Sequence, residues 1–195
     1  MSNDLILQFK TILVGKVKVN LQDFQLREDI LLDDVTLQGG DIRIEVPKSA
    51  SDAPHIQTGE VKVTAMMSEP NINRLVHANT PKEVPVKNLQ IQMLSGRAKV
   101  SGQVVKFIPI PFSLEAVPVI ENGVRVKFNL QPTSGSGGTP KAIIDVIEPF
   151  VKEYLDIDLT QLPFPFWLDE IRCEPGRVTV LGKAKITFPM ASNRK

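Results

Sequence analysis

The chain has 195 residues, 42% of them hydrophobic, enough for one generous domain or two small ones with a sizeable core. Its 23 Lys and Arg stand against 22 Asp and Glu, and it has one Trp and one Tyr, so neither the charge footprint nor the stacking platforms of a nucleic-acid binder are present. A lone cysteine, Cys173, excludes an intramolecular disulfide and a thiolate metal cluster.

At the N-terminus Asp4 sits where a signal peptide needs positive charge, and Gln8 and Lys10 interrupt the apolar run. No segment approaches the ~20 apolar residues of a membrane span, so the expected location is cytoplasmic or peripheral on a membrane. Leu5, Ile6, Phe9, Ile12 and Leu13 fit a helical face as well as a strand; a short amphipathic helix ending near Gly15 is the reading adopted. From Lys16 strict alternation places Val17, Val19 and Leu21 on one face of a strand. Two more alternating runs, Ile30 to Leu37 and Ile42 to Val46, flank Gly39-Gly40, which predicts a tight hairpin. Val61, Val63, Ala65 and Met67 form the inward side of the next strand.

Ser68 is expected to cap a short helix with Pro70 in its first turn and Ile72, Leu75 and Val76 on its apolar face. Strands follow around Leu89 to Met93 and Ala98 to Val100, joined at Ser95-Gly96. The extended run Val104 to Val119 contains Pro109, Pro111 and Pro118, which predicts a sheet edge or rim. Asn122-Gly123 signals a hairpin into Val124 to Leu130. Thr139 and Pro140 then open a predicted helix to Leu155, in which Ile143, Ile144, Val146, Ile147, Phe150, Val151, Tyr154 and Leu155 cover about half the circumference. Pro149 should bend it. The last strands lie around Ile171 and from Val178 to Phe188, joined at Pro175-Gly176.

A long apolar helix in a strand-rich chain predicts an α+β fold: a strongly curved antiparallel sheet wrapped around one long amphipathic helix, with a second short helix. Gly96-Arg-Ala-Lys-Val-Ser-Gly102 and Gly176-Arg-Val-Thr-Val-Leu-Gly182 share Gly-Arg-x-x-Val-x-Gly at an offset of 80 residues, each after a helix and an incoming strand. This predicts pseudo-repeat halves, about 68–131 and 139–189, inside a single domain of residues 1–195.

No Gly-x-Ser-x-Gly elbow is present, and the only histidines, His55 and His77, lie in a loop and near a helix end. The glycine loop at 135–138 lacks the Lys-Ser/Thr ending of a phosphate loop, and Cys173 reads as a packing residue. The expectation is no catalytic centre, no metal and no cofactor. Apolar surface is in excess instead. Phe107 and Phe112 on the proline-rich run, with Phe164, Phe166 and Trp167 after the helix, either plug the core or line a lipid-sized cavity beside Ile143, Ile147, Phe150, Val151 and Tyr154. The strands also share an outward basic set that includes Lys16, Lys18, Lys62, Lys99, Lys127, Lys183 and Lys185. It is either a solvated face or a docking face for an anionic membrane.

Val61 to Leu75, the strand pair Leu89 to Val104 with its Gly-Arg motif, and Leu159-Thr-Gln-Leu-Pro-Phe-Pro through Gly176-Arg together resemble a bacterial family of tubular lipid-binding (TULIP-like) proteins, the LmeA-like group. The resemblance covers most of residues 15–188. It implies a lipid acyl chain or isoprenoid as ligand, held in an apolar tunnel. A lipid-binding or lipid-transfer module is therefore the first reading, with a lipid hydrolase whose groups meet only in the fold, or a filled-core structural or interaction protein, as alternatives. The oligomeric state is left open.

Overall fold

A computed structural model describes residues 12–27, 30–45, 55–80, 85–105, 108–133, 141–150, 157–162 and 164–188. The alternating runs form two antiparallel sheets. The larger has seven strands: β1 (Ile12–Val14), β2 (Val17–Arg27), β3 (Ile30–Gly39), β4 (Ile42–Glu45), β5 (His55–Ser68), β11 (Phe166–Glu174) and β12 (Arg177–Phe188). The smaller is ordered β10-β9-β8-β7-β6, from β6 (Val86–Leu94), β7 (Arg97–Val105), β8 (Pro109–Glu121), β9 (Arg125–Pro132) and β10 (Ile157–Asp158). Helix α1 (Glu69–Asn79) links the first sheet to the second, and α2 (Lys141–Phe150) follows β9.

Two N-terminal expectations are corrected. Residues 12–14 form a strand paired antiparallel with β4, not the end of a helix; the rest of that predicted helix lies outside the described residues. Gly39-Gly40 makes no hairpin. β3 and β4 both pair antiparallel with β5, so the chain keeps its direction through Gly40 and Asp41. The glycine serves a bend instead. Gly15 between β1 and β2, Gly40 between β3 and β4, and Gly59 within β5 lie side by side: a Cβ at Gly59 would stand 3.2 Å from the Gly40 carbonyl oxygen, and one at Gly40 would stand 3.9 Å from that of Gly15. The β5–β12 register shifts at the same level, between Lys185 and Thr187. A line of residues without side chains, running through two interstrand links and one strand beside a bulge, lets the sheet curl into a half-barrel.

The prolines of β8 show how an interior strand tolerates them. β7 pairs with Pro109 to Ala116 and β9 with Leu114 to Glu121, so only the short middle stretch is flanked on both sides. Pro109, Pro111 and Pro118 all fall where β8 has a single neighbour, and no ladder bond is lost on the open side.

The two Gly-Arg turns correspond in detail. Gly96 and Gly176 both have positive φ, 74° and 80°. The Gly96 N–H donates to the Cys173 carbonyl at 2.9 Å, and the Gly176 N–H donates to the Met93 carbonyl at 3.4 Å. Within each hairpin the closing glycine faces an equivalent carbonyl, Lys87 for Gly102 and Trp167 for Gly182, and each glycine also seats a phenylalanine ring, Phe112 and Phe166 respectively. These reciprocal bonds lay the edge strand β11 across the tips of the smaller sheet, where the Leu168 N–H also donates to Gly123 at 2.6 Å. The edge is thereby covered.

The core divides in two. One cluster joins Leu89, Ile91, Val100, Phe112 and Leu114 of the smaller sheet with Val76 of α1 and Cys173 of β11. The other joins Val35, Val63, Phe166, Leu168 and Ala184 with Val126. Phe128 and Ile171 pack against both. No single long helix is seen at the centre: α1 has 11 residues and α2 has 10, and the remainder of 139–155 lies outside the described residues.

Candidate functional site: the apolar seat of the second helix

Alternation on β6, β7 and β8 turns Leu89, Ile91, Ala98, Val100, Leu114 and Ala116 to one side, a buried aliphatic floor. α2 sits on it. Its sequence places Ile143 and Ile147 one turn apart, and they are 6% and 1% exposed within that cluster, with Ile144 and Val146 partly buried beside them. Lys141 and Asp145 face outward, so the helix presents one apolar stripe and one solvated one. The inward side chains carry no polar atom, and among the described residues no backbone hydrogen bond ties α2 to either sheet.

α1 is held differently. Asn73 uses its side-chain amide as a surrogate strand against the edge of β6: Nδ2 donates to the Ile91 carbonyl and Oδ1 accepts from the Ile91 N–H, both at 2.8 Å. Glu69 Oε2 accepts from the Met93 N–H at 2.7 Å, and the Glu69 N–H donates to the Gly176 carbonyl at 2.8 Å. Ser68 occupies the cap position but does not cap its helix by its side chain. Its N–H and hydroxyl both donate to Asp33 of β3, at 2.7 and 2.9 Å. Burial raises the Asp33 pKa, yet these two bonds and a third from buried Asn71 outweigh it and hold the carboxyl below its ordinary value.

The predicted site residues are divided by this architecture. Ile143, Ile147 and Phe112 come together in the first cluster, Phe112 under Gly102. Phe164 and Phe166 belong to the second. Phe107, Val151 and Tyr154 lie outside the described residues, as does the side chain of Phe150. Trp167 does not line the interior: it projects from the face of β11 opposite to Phe166 and Leu168 and is 41% exposed. Alternation with its two neighbours was the signal for that.

The basic set also separates. Lys18, Lys183 and Lys185 share the outer face of the larger sheet, with Lys16 exposed in the link before β2. Lys99 and Lys127 belong to the smaller sheet, where Lys99 stands opposite Glu115 and Lys127 pairs with Glu121 at 2.9 Å.

Burial pushes the Cys173 thiol up, away from the reactive thiolate, while neighbouring Arg172 points outward to Glu170 at 2.7 Å. His55 contacts Gln57, and no group of three or more metal-ligating side chains is found among the described residues. No helix among them is long and apolar enough to cross a membrane.

Comparison with known proteins adds one positive finding. The model of a family described as LmeA-like phospholipid-binding matches residues 13–183, which takes in both sheets, both helices and the seat beneath α2. No curated protein and no solved structure matches.

Proposed function

The chain belongs to the LmeA-like phospholipid-binding family, and from that premise we propose that it is a lipid-binding or lipid-transfer module that takes acyl or isoprenoid chains onto the apolar seat beneath α2. The supporting observation is the manner in which α2 is held. Apolar packing is non-directional, so a methylene chain can replace the contacts of Ile143 and Ile147 on the aliphatic floor without orphaning a polar group. Ten methylenes seated there contribute roughly 8 kcal/mol before the costs of association, so no charged anchor is required for useful affinity. α1, fixed to the edge of β6 through Asn73 and Glu69, stays as the rigid wall.

The test is native mass spectrometry of the protein purified without detergent, followed by organic extraction of what travels with it. A stoichiometric adduct of phospholipid mass is expected. A protein that flies free of lipid, and remains so after incubation with phosphatidylcholine–phosphatidylglycerol liposomes, would overturn the reading and leave α2 as ordinary core.

A further inference from the structure

The outer face of the larger sheet can be followed row by row through its register. Lys18 stands opposite Gln38, Gln38 opposite Lys62, Lys62 opposite Lys183, and Lys183 opposite Trp167. Directly opposed residues point to the same side, so these five side chains form one line, about 19 Å long over four strand spacings. The only tryptophan of the sequence ends it. In the next row Lys185 stands opposite Glu60, and in the row beyond that Arg43 lies between Gln57 and Leu13, the latter 71% exposed.

These rows hold five cations and one carboxylate, Glu60, which reaches Lys183 at 3.5 Å. Lys18, Lys62 and Lys185 have no ion-pair partner among the described residues. The surplus stops at the lysine line. On its other side Asn20, Thr36 and Thr64 are neutral, Glu170 and Arg172 pair with one another, and Asp169, exposed in the β11 bulge, and Asp34 add acids. The charge is thus gathered at one end of one face, and exposed apolar groups mark both sides of it.

We infer that this end of the outer face, along Lys18, Lys62 and Lys183 to Trp167, is the surface by which the protein settles on an anionic phospholipid bilayer. Lysines are point charges on flexible stems, suited to a fluid array of headgroups that offers no fixed bidentate geometry. An indole takes up the headgroup level, apolar body inward and N–H in water. The inference rests on the reading of the protein as a lipid carrier, which must reach the membrane that holds its cargo.

Trp167 reports the event itself. Its fluorescence is expected to shift to the blue when the full chain is mixed with vesicles of phosphatidylcholine containing 30% phosphatidylglycerol, but not with phosphatidylcholine alone, and to return on adding salt. The triple variant Lys18→Gln, Lys62→Gln, Lys183→Gln should bind the anionic vesicles on the order of 100-fold more weakly in sedimentation, while Lys99→Gln with Lys127→Gln on the smaller sheet should bind as the parent does. Uptake of a soluble fluorescent fatty acid should be unchanged in both. Absence of the shift and of salt-sensitive sedimentation, with fatty-acid uptake intact, overturns the docking surface and leaves the carrier reading standing. Vesicle binding without fatty-acid uptake has the opposite meaning. A blue shift that depends on protein concentration and needs no vesicles would assign the face to a second copy of the chain, and also overturns the inference.

Discussion

Over the described residues α1 and α2 are nearly equal in length, and both bury aliphatic side chains in the cluster beneath the smaller sheet, but the contacts described for them differ in kind. α1 is fixed by directional bonds: Asn73 completes the hydrogen bonding of an edge strand, and its N-terminus is gripped by Asp33 and Gly176. Any ligand displacing α1 would have to replace those bonds or leave backbone groups orphaned. The inward side of α2, Ile143 and Ile147, makes apolar contacts only, which is what the proposed exchange with a chain of methylenes requires. On the proposed reading, the same floor is closed by α1 and exchangeable under α2.

The largest effect should come from the apolar side of that comparison. Ile147→Ala removes the most deeply buried side chain of α2 and should cost about 3 kcal/mol in a urea titration of the lipid-free protein. If acyl chains enter this seat, they fill the space left, and the gap to the parent narrows when the titration is repeated with a short-chain phosphatidylcholine. An equal gap with and without lipid would show that α2 is core rather than gate.

Asn73→Ala tests the other helix. It leaves the Ile91 N–H and carbonyl on the edge of β6 without their partner, a loss of about 2 kcal/mol. Lipid should restore none of it, because a methylene chain offers neither donor nor acceptor. Amide exchange at Ile91 should quicken in the variant, and protection at the parent level would show that Asn73 does not cover that edge.

Much of the scaffold was legible because its causes are local. Alternation from Val61 to Met67 marks β5, and Ser95-Gly96, Asn122-Gly123 and Pro175-Gly176 mark turns whose glycines do take positive φ. The crease at Gly40 was misread because Gly-Gly between two alternating runs looks the same whether the chain reverses or only bends; Gly15 and Gly59, which decide it, are remote in sequence. Asn73 looks like an ordinary surface residue until β6 is placed beside it. The line of Lys18, Lys62 and Lys183 likewise exists only in the register of three pairings, although its members were visible singly as outward cations. Backbone requirements are written in the sequence where they act, whereas surfaces assembled across strands are not.

Asp33→Asn is the finest probe of how α1 is held. Desolvation opposes the charged carboxyl, but the bonds from Ser68 and Asn71 prevail, so its pKa in the folded protein lies below the unfolded value. A lowered pKa stabilises the fold fully above the unfolded value, near pH 4, and that contribution is lost as pH falls through the folded one. The variant keeps an amide oxygen to accept one bond and loses the charge, so near pH 7 it should be less stable by about 1 kcal/mol, a figure limited by the access of water to the pair. Below the folded pKa the parent is protonated too, and the two proteins should converge. Urea midpoints measured from pH 7 down to pH 2 would trace that convergence. A difference independent of pH would mean that the shape of the side chain, and not its charge, anchors α1 to β3; the contrast between the helices would then rest on Asn73 and Glu69 alone.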